Sequence, residues 1–374
     1  MSFSHLMLTQ PEVAARLSRE AEKGMIPQSV MILGSDYSSR MTAAVELALT
    51  FLSEEDAYQS LDVQDLVILS NRNSQLRIRA LLSVFRRSRN RRSWLMLLHE
   101  TRILLLSYHA ALNESGDKEA FRCAGELGEL IYSYRDDFSE KELDKFIQSF
   151  EKLSGNLFSS MKKRSPFSID QVRDIQAFLQ LESDRGKAVI LENIEDVTAG
   201  AMNSLLKILE EPPKGAHIIL VSRDPSRILD TILSRVRKYE LPPISQELTR
   251  RFILDTFTKE WNGTLEEYFY EEAGFDGEKL KALAAGFVQR SFVRKEKPSY
   301  EELNELTAFL DEFDTYQLFM KALYEELMKI AVAGRKPSAM RAAGTIVSLW
   351  RDSAVYNQNR KIMIDRAERG IRNE

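Results

Sequence analysis

The chain has 374 residues, of which 44% are hydrophobic and 29% are charged, and its formal net charge is −4. This length predicts two or three domains with ordinary globular cores. The near balance of 52 basic and 56 acidic residues excludes a protein that binds nucleic acid by positive charge over its whole surface. A local basic patch stays possible.

Cysteine and histidine, which form disulfides or bind metal ions in small domains, are scarce in this chain. The single cysteine, Cys123, cannot form an internal disulfide, and the four histidines are scattered without the spacing of metal ligands. The chain opens without the pattern of a signal peptide, and its most apolar stretch, residues 94–112, is interrupted by charged side chains. We therefore expect no metal site, no membrane contact and a cytoplasmic location.

The first 70 residues alternate between helix and strand patterns. Residues 1–28 predict a helix with a polar entry, and the apolar run QSVMILG at 28–34, ending in glycine, predicts a buried parallel strand. Helical spacing follows over residues 38–55. The run DLVIL at 65–69 predicts a second buried strand.

Residues 72–165 differ in character, since they hold strong helix formers and no buried-strand pattern. They predict a helical insertion of three or four helices, with a turn near 113–119. Its first part is rich in arginine and is followed by Trp94, and such a run can grip a nucleic-acid backbone. The alternative is a solvated helix face that pairs with acidic residues such as Glu100 or those in 135–144. The candidates for contact with nucleic acid or a partner are Arg86, Arg87, Arg89, Arg91 and Arg92.

The alternation of helix and strand returns at Ser168, which forms a capping box with Gln171. Thr198 is the predicted N-cap of the next helix, which ends before Pro212 because proline cannot continue the hydrogen-bond ladder. Three more strands are predicted at 187–193, 217–222 and 237–241. This order predicts an α/β domain over residues 1–243 with a mostly parallel sheet.

After residue 243 the buried-strand pattern stops. The remaining sequence predicts a small helical domain over 245–292 and a helical C-terminal domain over 298–374. One helical stripe in the latter predicts either core or a face that packs against another subunit. The stripe consists of Phe313, Tyr316, Phe319, Leu323 and Leu327.

Three motifs in residues 166–243 resemble those of the AAA+ subunits of the bacterial DNA polymerase III clamp loader. They are LLKILEEPP at 205–213, the Asp224-Pro225 turn and ILSR at 232–235. An Asn-x-Asn segment within YNQNRKIMIDR, near the end of the chain, is similar to one in the delta prime branch of that family. The resemblance is weaker over 1–70 and 245–374 and absent over 72–165. It implies an AAA+ parallel-sheet domain, a helical lid domain and an all-helical collar domain that holds subunits in a ring.

The family's ATPases have a P-loop, G-x-x-x-x-G-K-[ST], whose backbone N–H groups, lysine and hydroxyl hold phosphate and Mg²⁺. Here only the first glycine, Gly34, is kept. Ser39 replaces the second glycine, Arg40 replaces the lysine, and Met41 replaces the hydroxyl residue. Asp36 adds a carboxylate where phosphate would lie, which is repulsive.

The second half of a nucleotide site is altered too. The strand at 187–193 ends in Glu192-Asn193, where the family's ATPases carry Asp-Glu. Glu192 could still hold a metal, but the amide of Asn193 cannot act as a carboxylate base. We therefore expect no nucleotide cofactor and no ATP hydrolysis by this chain alone. The resemblance implies that ATP and Mg²⁺ are bound in neighbouring subunits.

Ser234-Arg235 has two interpretations. Local chemistry favours a cation that caps a short helix over 226–234 at its C-terminus, where it suits the helix dipole. The resemblance implies instead a trans arginine finger, since the family's Ser-Arg-Cys motif points its arginine into a neighbour's ATP site. Val236 stands in place of the cysteine and is a similar small hydrophobe.

A decayed nucleotide site beside a kept Ser-Arg pair resembles the delta prime branch. This implies a non-hydrolysing subunit of a hetero-oligomeric DNA polymerase III clamp loader. Its partners would be gamma/tau and delta subunits, with the sliding clamp and primed DNA reached through the assembly. One departure is that the family's four-cysteine zinc module is replaced by the helical insertion. The alternatives are an active AAA+ NTPase with an atypical loop and a scaffold that binds DNA or a partner through the insertion.

Overall fold

The computed structural model describes residues 3–70, 72–112, 118–161, 167–313, 315–334, 336–356 and 360–374. The chain divides into two compact units, Met1–Ala273 and Gly274–Glu374. The sequence predicted boundaries near residues 243 and 292, whereas the structure has one boundary, after Ala273. This boundary divides the predicted small helical domain, so that 245–273 belongs to the first unit and 274–292 to the second. The three-part division stays a prediction.

The first unit is built on a five-stranded, wholly parallel sheet in the order β2-β3-β4-β1-β5. Its strands are β1 Ser29–Leu33, β2 Leu66–Leu69, β3 Lys187–Glu192, β4 Ala216–Ser222 and β5 Arg237–Glu240. Each lies within a predicted strand or within one residue of it, so the predicted α/β class is confirmed. The register pairs Leu33 with Ser222 and Glu192 with Val221. The carboxyl ends of three strands therefore meet at one edge, where a doubly wound sheet binds ligands.

Helices cover both faces of this sheet because the strand residues alternate in direction. Val30 and Ile32 pack into one core, while Met31 and Leu33 pack into the other. The helices around the sheet are α1 Pro11–Glu22, α2 Arg40–Leu52, α7 Ile169–Gln180, α8 Ala199–Glu210 and α9 Asp230–Leu233. The predicted N-caps Ser168 and Thr198 are confirmed, the first with its reciprocal capping box. Helix α1 is shorter than predicted, since it begins at Pro11.

The insertion contains four α-helices among the described residues. They are α3 Ser74–Ser88, α4 Arg91–Leu105, α5 Lys118–Tyr132 and α6 Glu140–Ser160. They share an aromatic core that includes Phe85, Trp94 and Phe150. Helix α10 Gln246–Phe257 adds Ile253 to the same core, and helix α11 Leu265–Glu272 adds Tyr268 and Phe269. Residues 113–117, most of the predicted turn, lie outside the described residues.

A stack of three rings joins the insertion to the α/β core. The ring centroids of His5 and Tyr58 are 3.7 Å apart, and those of Tyr58 and His99 are 4.3 Å apart. Nδ1 of His99 lies 2.6 Å from the carbonyl oxygen of Tyr58, so the neutral ring donates there. Burial lowers the pKa of His99 to about 4, against this hydrogen bond, which raises it.

We expect this histidine to make stability depend on pH. Its folded pKa lies below its unfolded value, so the contribution of the neutral ring is complete above about pH 6.5 and is lost as the pH falls towards 4. Between pH 7 and pH 5 the wild type should lose about 1 to 2 kcal/mol more unfolding free energy than His99→Asn, whose amide can still donate to Tyr58. Urea titrations at the two pH values measure the difference. Parallel losses would contradict the assignment.

The second unit is helical in its described residues. Its elements are α12 Gly277–Val288, a π-helical turn Gln289–Arg294, α13 Tyr300–Phe313, α14 Tyr316–Gly334, α15 Pro337–Tyr356 and α16 Arg360–Asn373. The predicted stripe from Phe313 to Leu327 is buried, with Phe319, Leu323 and Leu327 at 0% exposure, so it forms the core of this unit. The Asn-x-Asn segment, residues 357–359, lies outside the described residues.

Candidate functional site

The loop between β1 and α2 closes on its own backbone. Gly34 N–H donates to the carbonyl of Ser222 on β4, at 3.0 Å. The amide and the hydroxyl of Ser38 both donate to the carbonyl of Ser35, at 3.1 and 2.8 Å. A side chain at position 34 would meet Ser38 Oγ at 2.2 Å, so the kept glycine serves the packing of this loop. The amide of Ser38 is thus satisfied within the loop, and the amide of Gly34 is satisfied by β4.

Ser39 has a backbone conformation that favours glycine. Its φ is +65°, a left-handed conformation that side chains other than glycine adopt at a cost. Two residues before α1 hold the loop in this shape. The hydroxyl of Thr9 donates to Ser39 Oγ at 2.8 Å, and the amide of Gln10 donates to the carbonyl of Ser38 at 3.1 Å. The sequence patterns did not single out either residue.

Arg40 stands where a P-loop has its lysine, and its guanidinium group is buried among groups of its own chain. The residue is 1% exposed, and Nη1 donates to the carbonyl of Gly34 at 3.1 Å. Nη2 pairs with the carboxylate of Asp36 and donates to Oδ1 of Asn193, and it lies 3.7 Å from the carboxylate of Glu192. Asn193 and Glu192 therefore contact the guanidinium group of Arg40, and Gly34 and Ser39 belong to the loop around it. Met41 is the one degenerate position that does not take part.

A second arginine, Arg223, follows β4 and lies at the same edge of the sheet. Arg223 pairs with Glu195 at 3.0 Å, with Asp196 at 2.9 Å and with Asp36 at 3.4 Å. Burial raises the pKa of the Glu195 carboxyl, although nearby hydrogen bonds and the charge of Arg223 lower it. Asp36 is therefore shared between Arg40 and Arg223, and this network joins the carboxyl ends of β1, β3 and β4.

The residues at this edge do not fit a bound nucleotide with Mg²⁺. Glu192 is 3% exposed and accepts a hydrogen bond from Ser70, beside the charge of Arg40. Met41 is buried in the α/β core, where a P-loop has its metal-binding hydroxyl. Across the part of the chain that the structure describes, no cluster of histidine, cysteine, aspartate and glutamate has the geometry of a metal site.

Ser234 and Arg235 lie at the end of α9, away from any buried partner. Arg235 Nη1 donates to the carbonyl of Thr231 at 2.7 Å and to Ser234 Oγ at 3.3 Å, while Nη2 lies 2.7 Å from the carboxylate of Glu210. The side chain is 34% exposed. The capping contact that local chemistry favours is therefore present, in a shorter helix than predicted. A role towards a neighbouring subunit is not tested by one chain and stays a prediction.

Four of the five candidate arginines, between the end of α3 and the start of α4, pair with carboxylates of their own chain. Two of these, Asp136 and Asp144, belong to the acidic segment 135–144 that the sequence offered as the alternative to nucleic acid. The pairs are Arg86–Glu151, Arg87–Glu272, Arg89–Asp144 and Arg91–Asp136. Three of these four pairs are exposed on both sides, and such pairs contribute little to stability.

We expect a fourfold replacement of these arginines, at 86, 87, 89 and 91, by serine to leave the DNA affinity of the chain within about twofold, because each charge already faces a carboxylate. The slope of log affinity against log salt should also stay unchanged. Fluorescence anisotropy with a labelled primed duplex at several salt concentrations measures both. A clear fall in affinity with a flatter slope would establish the run as a DNA contact instead.

The comparisons with known proteins point to one family. Residues 137–245 match the sequence model of the family described as "DNA polymerase III, delta subunit". The chain is 42% identical over 79 residues to the DNA polymerase III subunit delta' of Pseudomonas aeruginosa, covering 21% of this chain and 24% of that protein. It is 44% identical over 64 residues to the corresponding subunit of Bacillus subtilis, covering 17% and 19%.

A solved structure also matches at low similarity. It is a DNA polymerase III gamma subunit-related protein from Thermotoga maritima, with 20% identity, a TM-score of 0.30, and coverage of 60% of this chain and 90% of that one. In the described part of the chain, no helix is both long enough and apolar enough to span a membrane. The chain spans only part of its relatives. The matched segments cover 24% of the Pseudomonas aeruginosa subunit, 19% of the Bacillus subtilis subunit and 37% of a similar Mycoplasma pneumoniae protein. Part of the chain, including residues 137–245, is therefore similar in sequence to subunits of bacterial DNA polymerase III.

Proposed function

We propose that this chain is a non-hydrolysing subunit of a DNA polymerase III clamp loader. The observation that carries the proposal is the guanidinium group of Arg40, which is buried in the degenerate P-loop and contacts Asp36, Asn193 and Glu192. Because Asp36 and Glu192 already face Arg40, their carboxylates are not free to hold the Mg²⁺ that phosphoryl transfer requires. The chain then acts as a ring member beside subunits that bind ATP and Mg²⁺.

Within that ring, Arg235 is the trans arginine finger and Ser234 orients it. Three features support this role. Arg235 is exposed on the surface, it follows the family's LLKILEEPP helix, and its pair with Glu210 is a surface pair that costs little to rearrange. An arginine held at a neighbour's γ-phosphate stabilises the charge of the transition state. The proposed partners are therefore gamma/tau and delta subunits, with the sliding clamp and primed DNA reached through the assembly.

Reconstitution tests the proposal directly. The chain is mixed with its cognate gamma/tau and delta subunits, and the complex is isolated by size-exclusion chromatography. We expect a stable hetero-oligomer that loads the sliding clamp on primed DNA only when this chain is present. A loader that forms and works equally well without it would reject the proposal, as would failure of the chain to enter the complex.

A further inference from the structure

The contacts of Arg235 point to a second residue in the same machinery. Arg235 Nη2 lies 2.7 Å from Oε1 of Glu210, a residue that is 25 positions earlier in the chain and belongs to a different helix. On its other side, Nη1 donates to the carbonyl of Thr231 and to Ser234 Oγ. The two ends of the guanidinium group are therefore held by two separate elements.

The backbone of Glu210 is held in place by its helix, although its side chain is 49% exposed. Glu210 is the last residue of α8, and the preceding Leu209 is 5% exposed within the sheet core. Pro212 and Pro213 follow and prevent the helix from continuing. On the helix that precedes Arg235, Ile232 of α9 is fully buried in the same core as Leu209. Helices α8 and α9 thus share one hydrophobic core and set the distance between Glu210 and Arg235.

We infer that Glu210 is a positioning residue for Arg235, an inference that rests on the proposed arginine-finger role. A free arginine samples many rotamers, and ordering it at a neighbour's phosphate costs free energy that must come from binding. Glu210 orders it in advance. The guanidinium group keeps its charge beside a carboxylate, because arginine is not deprotonated in proteins. Part of its surface, 34%, is still open to a ligand from outside.

The chemistry predicts a loss of rate when the carboxylate is neutralised. In the loader reconstituted with gamma/tau and delta subunits, Glu210→Gln should lower the maximal DNA-stimulated ATP turnover about three- to tenfold with the KM for ATP unchanged. The glutamine side chain has the same shape as glutamate but no charge, so Arg235 loses its ionic partner. Glu211→Gln is the matched control, since its neighbouring carboxylate is exposed and carries the same charge, and it should leave turnover unchanged.

A double-mutant cycle separates positioning from a structural effect. In the Arg235→Ala background, Glu210→Gln should cause no further loss, because there is no finger left to orient. Equal losses in both backgrounds would overturn the inference, as would an unchanged or faster Glu210→Gln loader. The Arg235→Ala variant alone tests the proposed function. If it leaves ATP turnover unchanged, the arginine-finger role is wrong, whatever Glu210→Gln does.

Discussion

Replacing Arg235 by alanine should lower the DNA-stimulated ATP turnover of the reconstituted loader about 10²-fold or more at the site that this chain serves. The reason is that a trans arginine neutralises the charge that develops on the transferring phosphoryl group. Assembly should survive, since the side chain is one-third exposed and its ion pair with Glu210 is a surface pair. A coupled ATPase assay on complexes purified by size exclusion measures the effect.

Two controls keep this result interpretable. Arg173→Ala removes a side chain that is 70% exposed and paired with Asp170, so it should leave turnover unchanged. Arg235→Lys keeps the charge but loses the planar fork, so it should recover only part of the rate. Wild-type turnover by an intact Arg235→Ala complex would reduce this chain to a structural member of the ring.

Replacing Arg40 by methionine should destabilise the first unit by about 3 to 5 kcal/mol. The substitution removes the only cation within 4 Å of the Glu192 carboxylate that the described residues supply, and Glu192 is 3% exposed. It also removes the hydrogen bonds that Arg40 donates to the carbonyl of Gly34 and to the amide oxygen of Asn193. A buried charge left without its partner carries this cost in full, even where the intact pair contributes little. Urea unfolding monitored by circular dichroism measures the loss.

The matched variants test the cause of that loss. Arg173→Met removes an exposed arginine and should change stability by less than about 0.5 kcal/mol. Adding Glu192→Gln to Arg40→Met removes the stranded charge and should recover part of the stability, so that the two changes are not additive. If Arg40→Met unfolds at the wild-type urea concentration, the guanidinium group does not hold the loop as described.

The sheet was predictable from sequence because its strands are buried on both faces. The stretches 66–69 and 188–191 are continuously apolar, and this pattern depends only on the residues within each stretch. The caps Ser168 and Thr198 were predictable for the same reason, since an N-cap bonds to an amide only three positions away.

The interior of the candidate site was not predictable in the same way. The sequence identified Arg40 and Asn193 as departures from the family's motifs, and it interpreted Asp36 as a repulsive charge. It did not predict that these three side chains would bind one another, because Arg40 and Asn193 are 153 residues apart and meet only through the order of the strands. The support from Thr9 and the pair between Glu210 and Arg235 depend on tertiary contact in the same sense.

The most direct test of the central claim is a calorimetric titration of the isolated chain with Mg²⁺-ATP. The claim is that Arg40, Asp36 and Asn193 fill the chain's own phosphate site, so that it serves only a neighbour's nucleotide. We predict no saturable heat at ATP concentrations up to about 1 mM, which corresponds to a binding free energy weaker than about −4 kcal/mol. Saturable binding in the micromolar range would show that the ion pairs open to admit a nucleotide and would contradict the account.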